Sequence, residues 1–212
     1  MARLPAVPRP RFAKLAPEKQ RAILDAAMEE FASSGYERAS YNRIIERAGV
    51  SKGAMYYYFD DKEDLFTTVV QQVMELAIGQ FAEFPAFDDA DQFWDATREF
   101  IVSGWAFMKK NPVAVGVMKS ALSLQASGAT IGAVRELQRL YQEWAEGFLR
   151  QGQAVGAVRS DLPFGLLMAV VIAVASAGDM WLSEHFDEVS GTDPDQFSRQ
   201  FTEMFRGALA PP

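Results

Sequence analysis

Apolar residues recur along this chain at spacings of three and four, and nowhere in sustained strict alternation. That periodicity predicts helices throughout and no sheet. A first helix starts at Pro17, a residue suited to the first helical position, turns Ile23, Ala27 and Phe31 inward, and stops at Gly35. Ser40 caps a short second helix carrying Ile44 and Ala48, which Gly49 ends; Ser51 then caps a third, in which Met55 and Phe59 lie one turn apart. Asp60 and Asp61 open a fourth, with Glu63 and Asp64 in its first turn and a stripe of Phe66, Val69, Val70, Val73, Leu76, Ala77 and Phe81. Pro85 and the acidic run 88–91 mark a break. Further helical blocks run over 92–109, 112–124, 129–151, 162–186 and 194–209. The expected fold is all-α, with about nine helices and no internal repeat. The chain divides into a basic flexible arm (1–16), a small helical head (17–66) and a larger helical body (67–212).

The third helix poses a packing problem. Tyr56, Tyr57 and Tyr58 are consecutive. A helix turns about 100° per residue, so one core cannot bury all three. With Met55 and Phe59 inward, Tyr57 points away from the core and Tyr56 and Tyr58 flank it. Gly53 leaves the outward side bare near the N-terminus. A helix of this form suits the DNA major groove, about 12 Å wide. Its central residue meets base edges, and its flanking hydroxyls meet phosphate without adding charge. The short helix, tight turn and short helix make a helix-turn-helix frame.

Charge sharpens this picture. The 212 residues carry a net charge of −7, but up to Phe59 there are ten Lys and Arg against six Asp and Glu. From Asp60 onward the balance is eleven against twenty-two. A basic head on an acidic body directs the head toward a polyanion. There is no cysteine and one histidine, His185, which excludes disulfides and leaves no His/Cys zinc set. The N-terminus lacks the apolar stretch of a signal peptide. The uncharged run 162–178 reads as a buried helix rather than a membrane span. Gly49 to Gly53 spells G-x-S-x-G, but it follows a helix instead of a strand, so Ser51 is a cap and not a nucleophile. No catalytic constellation and no cofactor motif is present, and no enzyme is expected.

The stretch Ala39–Phe66 resembles the DNA-binding motif of the TetR family of bacterial transcription regulators. The matching features are Ser40, Ile44, the run 48–53, Tyr56, Phe59, Lys62, Glu63 and Leu65. The resemblance implies a DNA interface made by Ser40, Tyr41, Asn42, Ser51, Lys52, Gly53, Ala54, Tyr56, Tyr57, Tyr58 and Lys62. Within it, Ser40, Tyr56, Tyr58 and Lys62 reach phosphate and Tyr57 faces bases. Ala54 stands where the family commonly has threonine, and Ile45 where it has alanine. The implied protein is a cytoplasmic homodimer, a repressor released from its DNA operator by a small apolar effector.

In the body, Gly165, Ala169, Ala173 and Ala177 fall at four-residue spacing. With the phenylalanine face Phe197, Phe201 and Phe205, they are the expected dimer interface. Trp105, Met108, Met118, Trp144, Phe148 and Met168 are candidates to line an effector cavity, with Asp179 as a polar anchor. The acidic body and the absence of arginine between Glu99 and Val134 favour a neutral or cationic effector. Two alternatives remain at this stage: a constitutive DNA binder with a solid body, and a helical lipid carrier or enzyme whose head binds a protein.

Overall fold

The computed structural model describes residues 11–80, 87–129, 131–189 and 194–212. The expectations placed on residues 1–10, Phe81 and Pro85 lie outside them. Among the described residues there are nine helices and no strand: α1 Pro17–Arg38, α2 Tyr41–Arg47, α3 Lys52–Tyr58, α4 Lys62–Gln80, α5 Ala90–Lys110, α6 Pro112–Ala126, α7 Gly132–Ala154, α8 Phe164–Val189 and α9 Pro194–Leu209.

The helix ends follow from local chemistry. Ser40 Oγ accepts from Arg43 N at 3.3 Å and Ser51 Oγ from Ala54 N at 3.1 Å, satisfying orphan donors at the starts of α2 and α3. Asp61 Oδ1 does the same for Asp64 N at 2.8 Å in α4. Gly49 takes a φ of 63°, which a side chain resists, and so forms the tight turn between α2 and α3. Gly35 breaks the helical path of α1 with a φ of 70°.

The chain forms two compact units. Unit 1 comprises the residues up to Leu76 together with Asn111–Leu137. Its core holds Ile23, Ala27, Phe31, Ile44, Met55, Phe59, Phe66, Val69 and Val117. Here α6 lies directly on α1. A Cβ placed on Gly116 would come within 2.7 Å of Ala32 Cβ, so only glycine permits this approach. Beside it, Ser120 Oγ accepts from Tyr36 N at 2.8 Å. Glu63 Oε1 accepts from Gly132 N at 2.9 Å, tying the start of α7 to α4.

Unit 2 comprises Ala77–Lys110 and Gln138–Pro212. Its core is aromatic, with Phe93, Trp94, Phe148 and Phe205 packed among Leu149, Leu167, Val171 and Leu209. Gly178 lets the Phe201 ring approach α8, since a Cβ there would meet Phe201 Cζ at 2.2 Å. The stretch 164–182 is long and apolar enough to cross a membrane, yet only 22% of that window is buried within the chain. The expected buried helix is therefore buried along one stripe only, Leu167, Val171, Ala175 and Leu182. Its opposite stripe, Gly165, Ala169, Ala173 and Ala177, is exposed.

Candidate nucleic-acid interface

The outward face of α3 is built as the helical spacing requires. Met55 and Phe59 are fully buried, while Tyr57 is 56% and Tyr56 49% exposed. Tyr58 is half-buried, and Gly53 has nothing within 4 Å of a notional Cβ. Ser51 and Lys52 are exposed beside it, and Ala54 is half-buried. Lys52 Nζ lies 6.0 Å from the Tyr56 ring centroid. From α2, Asn42 is exposed and Ser40 and Tyr41 are half-buried. The Tyr41 ring lies 5.3 Å from that of Tyr56, and its hydroxyl reaches the Phe59 carbonyl at 3.5 Å. Burial pushes the Tyr41 hydroxyl well above its ordinary pKa, with a further contribution from Tyr56. It stays a neutral donor at any physiological pH. Ser40, Tyr41, Asn42, Ser51, Lys52, Gly53, Ala54, Tyr56, Tyr57 and Tyr58 thus cluster on and around two short helices.

Lys62 does not join them. Its Nζ donates to the carbonyls of Tyr36 (2.7 Å), Glu37 (3.1 Å) and Ala39 (3.3 Å) and sits over the Tyr36 ring. An ammonium has three donors, and all three are used on the C-terminal end of α1. Lys62 is a clasp within the head in this structure. The residue type fits both roles, and only the fold shows carbonyls converging on it.

Glu30 is the supporting residue that sequence reasoning missed. It is 2% exposed. Its Oε1 accepts from Ser40 N (2.9 Å), Arg43 Nε (3.0 Å) and Arg43 Nη2 (2.5 Å), so a carboxylate of α1 fixes the start of α2. The Arg43 hydrogen bonds hold its carboxyl below the usual range, against the opposing effect of burial. A signal was available: Glu30 sits between Ala26, Ala27 and Phe31 on a face whose other members are core.

The arm also departs from expectation. Residues 11–15 form a turn docked on the head. Leu15 N donates to Phe12 O at 2.9 Å, and Gln20 Nε2 donates to Leu15 O at 2.6 Å. Phe12 is 2% exposed, with its ring 4.9 Å from Phe59 and 6.3 Å from Tyr58.

In the body the expected cavity lining is divided. Met118 belongs to unit 1, whereas Trp105, Met108, Trp144, Phe148, Met168 and Asp179 belong to unit 2. Trp105 and Phe148 are almost wholly buried, Trp105 against Phe197 (4.8 Å) and Phe148 against Trp144 (5.3 Å) and Phe205 (5.9 Å). These contacts make them core residues. Asp179 accepts a hydrogen bond from the Tyr141 hydroxyl. Asp179 is exposed, and the protein packed around its carboxyl pushes its pKa up, opposed by the Tyr141 bond. Met168, with Gly165 and Ala169, lines an open groove of about 500 Å³ between α7 and α8, whose other side is Arg139, Gln142, Glu143 and Glu146.

The two halves of the expected dimer face differ in exposure. The α8 stripe is exposed, as an interface needs. The phenylalanines of α9 are not. Phe205 is 3% exposed, Phe201 packs on Gly178, and Phe197 on Trp105. They face the chain's own core because three large aromatics on one helix face are buried most readily inside the same chain. The outward residues of α9 include Gln200, Glu203, Met204, Gly207 and Ala208.

Comparison with known proteins agrees with this geometry. Residues 23–69 match the family model described as bacterial regulatory proteins, tetR family. The Fatty acid metabolism regulator protein of Bacillus subtilis is 38% identical over 65 residues, 31% of each chain, and the Escherichia coli regulator RutR 36% over 66 residues. The chain thus matches under a third of the length of these curated relatives. The repressor KstR2 of Rhodococcus jostii aligns over 90% of both chains at 22% identity. Among solved structures, a TetR-family regulator from Shewanella superposes with a TM-score of 0.67 at 21% identity, covering 93% of this chain and all of the other. FadR of Bacillus subtilis, solved with stearoyl-CoA, gives 0.67 at 18% identity over 87% of this chain and 96% of that one.

Proposed function

We propose, from a head that matches the TetR-family model over residues 23–69 and a fold shared with TetR-type regulators, that this chain is a ligand-responsive transcription repressor acting as a homodimer on a DNA operator. The observation that carries the proposal is the α3 surface. Two tyrosines there are half exposed on a rigid, capped helix beside a bare glycine turn and Lys52. Each ring carries a hydroxyl that water and phosphate satisfy equally well, and a DNA groove supplies both apolar edges and phosphate acceptors. The uncovered α8 stripe supports a second copy, since its small residues allow close approach of another helix. Two heads on a two-fold axis would then read two half-sites. The residues proposed to contact DNA are Ser40, Tyr41, Asn42, Ser51, Lys52, Gly53, Ala54, Tyr56, Tyr57 and Tyr58.

The effector is proposed to be small and mainly apolar, held in the body and read by Asp179 and Tyr141. A carboxylate attracts a cationic or donor-bearing ligand and repels an anionic one, which favours neutral and cationic effectors. Effector binding would favour a dimer with a different separation of its two heads, lowering operator affinity by the coupling energy between the sites. The experiment is selection of duplexes from a random-sequence pool by the whole protein, then mobility shift with the winning duplex. A duplex bound in preference to its scrambled version is expected; failure to enrich any sequence would reject the DNA reading. Thermal-shift measurements with an aliphatic amine, a neutral sterol, a free fatty acid and an acyl-CoA then test the effector. A ligand at 100 times its Kd raises stability by about 2.7 kcal/mol. Stabilisation by the two anions alone would overturn the charge argument.

A further inference from the structure

The arm ahead of α1 lies outside the matched family stretch, which begins at Ile23, and outside every residue assigned above to DNA. The fold nonetheless brings it to the centre of the α3 surface. The guanidinium carbon of Arg11 lies over the Tyr57 ring, 4.7 Å from its centroid. Tyr57 is the most exposed of the three tyrosines. Arg11 is itself exposed, so charge and ring are presented to solvent together.

This placement rests on an anchor. Phe12, the next residue, is 2% exposed and packs against Phe59, the buried residue that follows α3, and the half-buried Tyr58. Its turn is tied back to α1 by Gln20, whose Nε2 donates to the carbonyls of Leu15 (2.6 Å) and Ala13 (3.3 Å). With Phe12 held by core aromatics and residues 12–15 closed in a turn, the backbone beside Arg11 is fixed before any ligand arrives. Much of the ordering entropy that a free arm would lose on binding is already spent in folding.

We propose that Arg11 is a DNA-contacting residue of this protein, positioned by Phe12 and stacked on Tyr57. The proposal rests on the DNA-binding reading above and extends it beyond the helix-turn-helix. Chemistry gives the reason. A cation over an aromatic face is held weakly at an exposed site, while the planar guanidinium keeps N–H donors for acceptors such as phosphate oxygens or a guanine edge. Tyr57 is thereby a platform as well as a contact. A lysine in place of Arg11 keeps the charge and loses the planar fork.

The test compares wild type, Arg11→Ala and Arg11→Lys as full-length proteins. Each is titrated by mobility shift against the duplex selected by the wild type and against its scrambled version, over a range of salt. Melting temperatures confirm that the variants are folded. Arg11→Ala is expected to lose about tenfold in affinity for the selected duplex, with Arg11→Lys restoring only part of it. Loss on both duplexes, with a shallower salt dependence, identifies a phosphate contact; loss on the selected duplex alone identifies a base edge. Either outcome supports the proposal. Unchanged affinity of Arg11→Ala for both duplexes overturns it and leaves the DNA-binding reading intact. A wild type that selects no duplex overturns that reading itself.

Discussion

Helices α3 and α8 both expose residues that a folded chain usually covers, but of different kinds. On α3 the exposed residues are Tyr56 and Tyr57, each carrying a hydroxyl at the tip of an apolar ring. Such a side chain is at ease in water and equally at ease against phosphate, so the surface can bind and release. On α8 the exposed stripe is Gly165, Ala169, Ala173 and Ala177, with Leu166 half exposed beside it. Nothing on that stripe can hydrogen-bond through its side chain, and water gains nothing from it. A surface of the first kind suits a reversible partner and one of the second a lasting partner. The head therefore carries the proposed switchable contact and the body the proposed constitutive one.

The sharpest way to break this comparison is to charge the lasting surface. Ala173→Glu should give folded monomers by sedimentation, since it places an unpaired carboxylate in a dry interface. Loss of two-headed binding should then cost about 10²–10⁴-fold in operator affinity. A dimer that survives the change would place the interface elsewhere. The two sides of α9 give a contrasting pair. Phe205→Glu should unfold unit 2, because the carboxylate enters a core of Phe148 and Trp144, at a cost above about 4 kcal/mol. Met204→Glu, on the 58% exposed neighbour, should leave circular dichroism and melting nearly unchanged. Equal tolerance of both would mean that α9 is turned the other way.

Within the head, Glu30→Ala should lower stability by about 3 kcal/mol, because Arg43 and the Ser40 amide lose their buried acceptor. The effect depends on pH. A carboxyl whose folded pKa is depressed stabilises fully above its ordinary value, 4.5 here, and loses that contribution as pH falls through the lowered folded value. Glu30→Gln should therefore show a flatter acid limb in chemical denaturation than wild type. The smallest effects are on DNA itself. Tyr57→Ala should weaken specific binding by about 1–3 kcal/mol and leave scrambled DNA little affected. Lys52→Ala should reduce the salt slope by about 0.9. Lys62→Ala, by contrast, should lower the melting temperature and leave that slope unchanged, because its three donors are already used inside the head.

Much of this was legible in the chain. The nine helical blocks could be read from spacing, and α9 from its bounding residues, because a helix is a local structure whose caps and breakers lie within a few residues of its ends. The outward direction of Tyr57 followed from 100° per residue and two buried neighbours. Local rules could not tell which of several satisfactory partners a side chain would choose. Lys62 can reach phosphate or carbonyls, and Phe205 can cover a second subunit or its own core. Met118 can join the aromatic set or, as it does, belong to the other unit.

Those choices were made by contacts between residues far apart in sequence. Gly116 meets Ala32, Ser120 meets Tyr36, Glu63 meets Gly132, Tyr141 meets Asp179, and Gly178 admits Phe201. By itself the sequence determined the helices, the head's charge and the chemistry displayed on α3, all of which depend on neighbours within a turn or two. The tertiary structure alone decided that the arm is docked through Phe12, that Glu30 braces α2, and which face of α8 stays uncovered. Each of these depends on how side chains from distant segments fill a shared volume, and dense packing allows few such solutions.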